Sequence, residues 1–304
     1  MAKAFTTKAE TRNGFFVSEK RKAVWKIQLE LFDELYRVCK KHHLKLFGDS
    51  GTLLGAVRHK GFIPWDDDMD FVMFRKDYDK LMKIAPNEIR APYFFQTPYT
   101  DRGFTRPHAH LRKDGTTAML KAEATKVKFH QGIFIDIFPL DFISKDEEIE
   151  KARFDEKMSR MRLVERWYGD LYVSNGIKGI IKKILRRLIP HPNLKKLYGD
   201  FEYTCSHVEN PCDVVTKIAL YGDYSDYKPT PAKCFNEVIY LPFENRKIPF
   251  PKDTDTVLKA YYGKNYMKPK MSSSMHGDVI FDTEKSYKEV IKLLKQNNYN
   301  NEEL

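Results

Sequence analysis

The chain has 304 residues, is 42% hydrophobic and 13% aromatic, and carries a formal net charge of +11 at pH 7. Such a composition buries a sizeable core in one large or two modest domains, which excludes a disordered chain. No basic segment leads into an apolar signal-like run, and no stretch of about 18 uncharged apolar residues occurs, so a soluble, cytoplasmic protein is expected. Cys39, Cys205, Cys212 and Cys234 contain no C-x-x-C pair and are too few for a disulfide scaffold, as a reducing compartment would require. Cys205, His207, Cys212 and Cys234 offer zinc-type ligands without the tight knuckles of structural zinc sites, so small buried thiols are the expectation. The positive charge favours polyanionic partners, whether nucleic acid, an anionic membrane surface or phosphate-rich substrates.

In chain order, Val24, Ile27, Leu31, Leu35 and Val38 recur at spacings of three and four, which predicts an amphipathic helix from Ser18 to about His42 with Ser18 as its N-cap. Leu44 to Phe47 reads as a strand, and Gly48 to Gly51 as a turn into a brief helix carrying Leu53, Leu54 and Val57. Met69 to Phe74 is a predicted strand, Asp77 to Ala85 a helix, and Tyr93 to Gln96, His108 to Lys113 and Gly132 to Phe138 further strands. The first half therefore reads as a mixed sheet flanked by helices. Beyond it, Asp146 to about Tyr172, Gly176 to Ile189 and Leu194 to Val208 read as helices, and Val238 to Pro249 as a hairpin around Glu244 and Asn245.

Trp65-Asp66-Asp67-Asp68-Met69-Asp70-Phe71 is the most informative segment. Side chains two apart on a strand share a face with Cα atoms about 6.5–7 Å apart, so Asp68 and Asp70 converge on one cation site. Two carboxylates plus substrate phosphates are what magnesium accepts, with manganese as the alternative. A calcium loop beginning at Asp66 fails, because Phe71 stands where the sharp turn needs glycine and Asp77 where the loop needs glutamate. In Gly132-Ile133-Phe134-Ile135-Asp136-Ile137-Phe138 one carboxylate interrupts an apolar strand, a costly burial unless it is paired or bound to metal. Asp136 is thus the third expected ligand, with an ion pair to a basic neighbour as the alternative. Asp141, beyond Pro139, reads as a turn residue.

Gly48-Asp49-Ser50-Gly51-Thr52 lies between strand and helix, where backbone N–H groups and hydroxyls face an anion, and Gly48, Ser50, Gly51 and Thr52 are the expected phosphate contacts. Arg58, His59 and Lys60 end that helix just before the acids, a position suited both to the helix dipole and to a donor phosphate. Arg112, before Thr116 and Thr117, suits a bidentate phosphate contact or a plain ion pair.

The run from Gly48 through Leu53-Leu54-Gly55-Ala56-Val57-Arg58-His59-Lys60-Gly61-Phe62-Ile63-Pro64 to Asp70 closely resembles the signature of the LicD family. Gly132 to Asp141 resembles its second block, and Leu241-Pro242-Phe243 through Tyr262-Gly263 to Tyr266-Met267 its C-terminal block. The resemblance covers about residues 25 to 280. It implies an α+β fold with a nucleotidyltransferase-like mixed sheet flanked by helices. Residues 1–43 would be an N-terminal helix packed on the core, 44–145 the catalytic core, and 146–304 a mainly helical region with a hairpin. Ser50-Gly51 departs from the Gly-Gly or Gly-Ser order of the wider superfamily. By this resemblance the chain moves a phosphoalcohol, phosphocholine first, from a CDP-linked donor to a hydroxyl of a glycan or a lipid-linked glycan. Asp68, Asp70 and Asp136 would hold the metal, and one of them or Asp66 would take the hydroxyl proton.

Ile177, Ile180, Ile181, Ile184, Leu185, Leu188 and Ile189 form an apolar stripe backed by Lys178, Lys182, Lys183, Arg186 and Arg187. Residues 176–190 fit an anionic membrane interface and a core-packed helix equally, and the former would place the chain peripherally on the inner membrane face. Two other readings stand beside the transferase: a nucleotidyltransferase adding NMP from an NTP, and an inactive membrane-associated scaffold. Lack of aromatic interleaving among the basic residues weighs against nucleic acid. His276 is a loop histidine that could reach the site.

Overall fold

The computed structural model describes residues 4–169, 190, 192–217, 223–270, 278–297 and 299. The membrane-facing candidate 176–190 lies outside them except for Pro190, and His276 lies outside them as well. A short hairpin, β1 (Glu10–Arg12) and β2 (Phe15–Val17), precedes helix α1 (Glu19–Lys41). Ser18 caps α1 by accepting the Arg21 N–H, as its spacing predicts, and the apolar face of Val24, Leu31, Leu35 and Val38 is fully buried. Then follow β3 (Phe47–Gly48), α2 (Ser50–His59), β4 (Asp70–Phe74), α3 (Arg75–Glu88), β5 (Tyr93–Gln96), β6 (Ala109–Lys113) and β7 (Thr117–Leu120). The second half supplies β8 (Phe134–Ser144), α4 (Glu147–Tyr168), α5 (Leu194–Ser206), β9 (Pro211–Lys217), β10 (Thr230–Pro231), the hairpin β11 (Val238–Phe243) and β12 (Arg246–Pro251), α6 (Thr254–Tyr262), β13 (Val279–Asp282) and α7 (Tyr287–Lys295).

The architecture is α+β. Its seven-stranded mixed sheet runs β10-β9-β8-β4-β3, with β6 pairing β8 and β5 pairing β6. Strand β8 is its axis. It lies parallel to β4 in the register Asp70↔Asp136, and on its other edge it pairs first with β6 and then with β9. Helix α1 packs against β6 and β8, and α3 against β4 and β8, closing one continuous core. Among the described residues no helix is long and apolar enough to cross a membrane.

Two expectations change. The expected strand Leu44 to Phe47 is only Phe47–Gly48, because it meets β4 at just two register positions, although Leu44 and Leu46 are buried. Asp141 is a buried strand residue and not part of a turn. Pro139 does not end β8, since its missing N–H falls where the strand exchanges β6 for β9, between the register positions Ile137 and Leu140. Asp141 there receives Arg75 bidentately, Nε to Oδ1 at 2.7 Å and a terminal nitrogen to Oδ2 at 2.6 Å, which ties the start of α3 to the second half of β8. All four cysteines are free thiols, three of them buried, and none joins a metal-ligand group among the described residues.

Removing one partner of that buried pair strands the other charge. Asp141→Ala is expected to lower the unfolding free energy by about 3–5 kcal/mol in urea titrations, and Arg75→Met/Asp141→Leu to restore most of it. A loss within a few tenths of a kcal/mol would show the pair to be incidental.

Candidate active site

The acidic loop before β4 is held from behind by one face of α1. Arg21 donates to the Asp66 carbonyl at 2.9 Å and Trp25 Nε1 to the same oxygen at 3.0 Å, while Gln28 donates to the Asp67 carbonyl at 2.7 Å. The loop backbone is thereby fixed at the helix surface, and its carboxylates gather: Asp66, Asp67 and Asp68 bring ligand atoms within 4.8 Å of one another.

The Gly48–Thr52 turn lies directly beside it. Asp49 N donates to the Asp70 carbonyl at 2.9 Å, and Thr52 Oγ1 accepts the Asp70 N–H at 2.9 Å, so turn and acid strand are locked together. Ser50 has φ +46°, a left-handed conformation unusual for a residue with a Cβ and suited to the glycine that the wider superfamily places in this pair. A Cβ on Gly51 would stand 2.5 Å from Asp66 Oδ2, so only glycine lets that carboxylate approach the turn. Lys217, from the end of β9, donates to Asp49 Oδ2 at 2.7 Å and also reaches Ser50 Oγ. Its ammonium sits 4.6 Å from the Phe138 ring centroid. Lys217 and the Ser50 hydroxyl thus meet at the start of α2, with the Asp49 carboxylate bonded to both.

Asp68, Asp70 and Asp136 bring ligand atoms within 4.8 Å of one another, with Asp136 buried and the other two half-buried. Burial pushes Asp70 up to about 7; Lys217 opposes this, while Asp136, Asp49 and Asp66 add to it. Burial would also raise Asp136, but His110 and His108 outweigh it and hold the carboxyl well below the usual range. One acid of the pair is therefore kept ionised while its neighbour resists ionisation. Three hard oxygen donors with excess negative charge fit magnesium, which takes a few carboxylates and completes its octahedron with water and phosphate.

The remaining predicted residues are placed as follows. Arg58 donates to the Tyr266 carbonyl at 3.2 Å and to His59 Nε2 at 2.8 Å, and burial lowers its pKa. His59 is pushed down to about 4 by burial, Arg58 and Arg12. Lys60 is an exposed left-handed C-cap whose carbonyl receives Glu244 N–H, away from the carboxylates. Arg112 is buried, and its donors go to Gln96, the Gly132 carbonyl and His110. His108, His110 and Lys217 join the predicted residues at the site, the two histidines from the expected strand His108 to Lys113. His108, His110 and Arg112 alternate at period two, which signals a polar strand face, whereas nothing local to Lys217 announces its partner 168 positions away.

The glycine turn and the converging carboxylates lie together on one mixed sheet, inside the part of the chain that the comparisons match. Residues 43–173 match the LicD/FKTN/FKRP nucleotidyltransferase domain. The chain is 26% identical over 249 residues to the lipopolysaccharide cholinephosphotransferase LicD of Haemophilus influenzae, covering 79% of this chain and 88% of that protein. Over 57 residues, 19% of this chain, it is 42% identical to an uncharacterized protein of Rickettsia prowazekii and 40% to one of Rickettsia typhi, about a fifth of each. Residues 43–173 are thus similar to the LicD-type nucleotidyltransferase domain, and the similarity to the Haemophilus influenzae protein extends over most of the chain.

Because Asp70 must lose its proton to bind a cation, magnesium affinity measured by calorimetry should rise with pH, by roughly tenfold per unit below pH 7, and level off above pH 8. An affinity independent of pH from 5.5 to 8 would mean that Asp70 is not a ligand.

Proposed function

We propose that this chain is a phosphotransferase that moves phosphocholine from CDP-choline to a sugar hydroxyl of a cell-surface glycan or its lipid-linked precursor. The convergence of Asp68, Asp70 and Asp136 beside the Gly48–Thr52 turn carries the reading. The named activity of the Haemophilus influenzae relative supplies the choline and the glycan.

Asp68, Asp70 and Asp136 would hold magnesium. When bound, the ion supplies charge neutralisation on the donor pyrophosphate and polarises the reacting phosphoryl oxygens. Lys217, Ser50, Thr52 and the N–H groups at the start of α2 bind the same phosphates, with Arg58 in the last turn of that helix as a further contact. The acceptor hydroxyl oxygen forms a bond to the phosphorus bearing choline, the bond from that phosphorus to the bridging oxygen breaks, and CMP departs with the electron pair. The hydroxyl proton passes to a carboxylate, and Asp66, held against Gly51 at the edge of the turn, is placed to receive it. Arg112 serves this reading through His110 and not through phosphate.

Calorimetry with CDP-choline, CDP-glycerol, CDP-ribitol, CTP and ATP, each with magnesium, tests the donor. Wild type should bind CDP-choline selectively, and Asp68→Ala/Asp70→Ala should lose at least about a hundredfold in affinity, of the order set by removing ligand carboxylates. Preference for another CDP-alcohol would change the transferred group, preference for CTP or ATP would favour nucleotidyl transfer, and binding of none would favour a scaffold.

A further inference from the structure

Asp136 on β8 stands opposite His110 on β6, with His108 two residues earlier on the same face. His110 Nε2 lies 2.7 Å and His108 Nε2 3.1 Å from one oxygen, Asp136 Oδ1. These three buried groups are close enough to pass for a metal site of their own. The other nitrogen of His110 decides against it. Arg112 reaches His110 Nδ1 at 3.0 Å, and a guanidinium offers donors only, so Nδ1 must present its lone pair. The ring proton then resides on Nε2 and points at Asp136, where a metal would require a lone pair.

The Arg112–His110 pair is held from several sides, while His108 Nδ1 is buried without a hydrogen-bond partner. Arg112 donates to the Gly132 carbonyl at 2.6 Å and to Gln96, and its guanidinium carbon lies 4.6 Å from the Phe134 ring centroid. The His110 ring stacks on that phenylalanine at 4.7 Å with planes 11° apart, which fixes the plane of the imidazole. His108 adds a second nitrogen at the same carboxylate oxygen while its own ring packs on Phe138 at 4.1 Å.

We infer that Arg112 and His110 form a positioning relay in which Arg112 imposes the Nε2–H tautomer on His110, and His110 then grips Asp136 Oδ1 and presents Oδ2 to the cation. The relay rests on the reading of Asp68, Asp70 and Asp136 as the cation site and adds two residues that never touch the ion. Outer hydrogen-bond partners of this kind fix the orientation of a ligand and commonly hold 10–100-fold of metal affinity.

Nitrogen NMR of ring-labelled histidine in the full chain, without metal, reads the tautomer directly. Wild-type His110 should show a protonated Nε2 and a bare Nδ1, and Arg112→Met should convert that ring to a mixture of tautomers. His110→Phe keeps the stack on Phe134 and removes the donor, so the magnesium affinity of the folded variant by calorimetry should fall about 10–100-fold, with partial recovery in His110→Gln. A bare Nε2 in the wild type, or a folded His110→Phe with wild-type magnesium affinity, would overturn the relay. Should His110→Phe not fold, the tautomer in wild type and in Arg112→Met still decides. A wild type that binds no magnesium yet shows the Nε2–H tautomer would instead overturn the reading of the three carboxylates.

Discussion

The parallel register of β4 and β8 sets Asp70 beside Asp136, so two carboxylates share one face of a largely buried sheet. Two like charges about 4–5 Å apart repel by roughly 3–4 kcal/mol at an effective dielectric of about 20. Much of the surrounding structure answers that repulsion. His110 and His108 stabilise the charge on Asp136, Lys217 opposes the rise of Asp70, and the remaining excess is what a divalent cation would neutralise. A core built for stability alone would replace such a pair with apolar residues, which is why the cluster reads as a site.

The placement of these groups depends on elements far apart in the chain. Helix α1 holds the acidic loop by its carbonyls, leaving the carboxylates for other work. Strand β9, from the second half, carries Lys217 to the turn at Asp49 and Ser50. The β11–β12 hairpin closes over the turn from another side: a Cβ on Gly48 would stand 2.3 Å from the Phe250 ring. Lys217 and Phe250 therefore meet the Gly48–Ser50 turn while α1 sets the neighbouring acidic loop, and a shift in any of them would move the turn relative to the carboxylates.

Local chemistry was legible without coordinates. The apolar run that Asp136 interrupts placed it on a buried strand, the glycine turn before a short helix was found where it was expected, and the three-four spacing of α1 marked its buried face. Long-range pairing was not. Pro139 looked like a strand end because the change of partner from β6 to β9 cannot be seen in the chain itself, and Asp141 was misplaced with it. Lys217 follows Val214-Val215-Thr216 like any strand-end lysine, and only the fold brings it to Asp49. Arg112 had the right chemistry for phosphate, but Gln96, Gly132 and His110 take its donors, and all three partners are set by tertiary contact.

The central claim is that one cation, held by Asp68, Asp70 and Asp136, brings a CDP-linked donor to the Gly48–Thr52 turn. A crystal structure with manganese and CDP-choline, using the anomalous signal of the metal, tests it most directly. The account predicts a single strong peak about 2.0–2.3 Å from oxygens of those three aspartates, with the pyrophosphate against Lys217 and the start of α2. A metal peak on His108 and His110, or a nucleotide bound away from the turn, would contradict it.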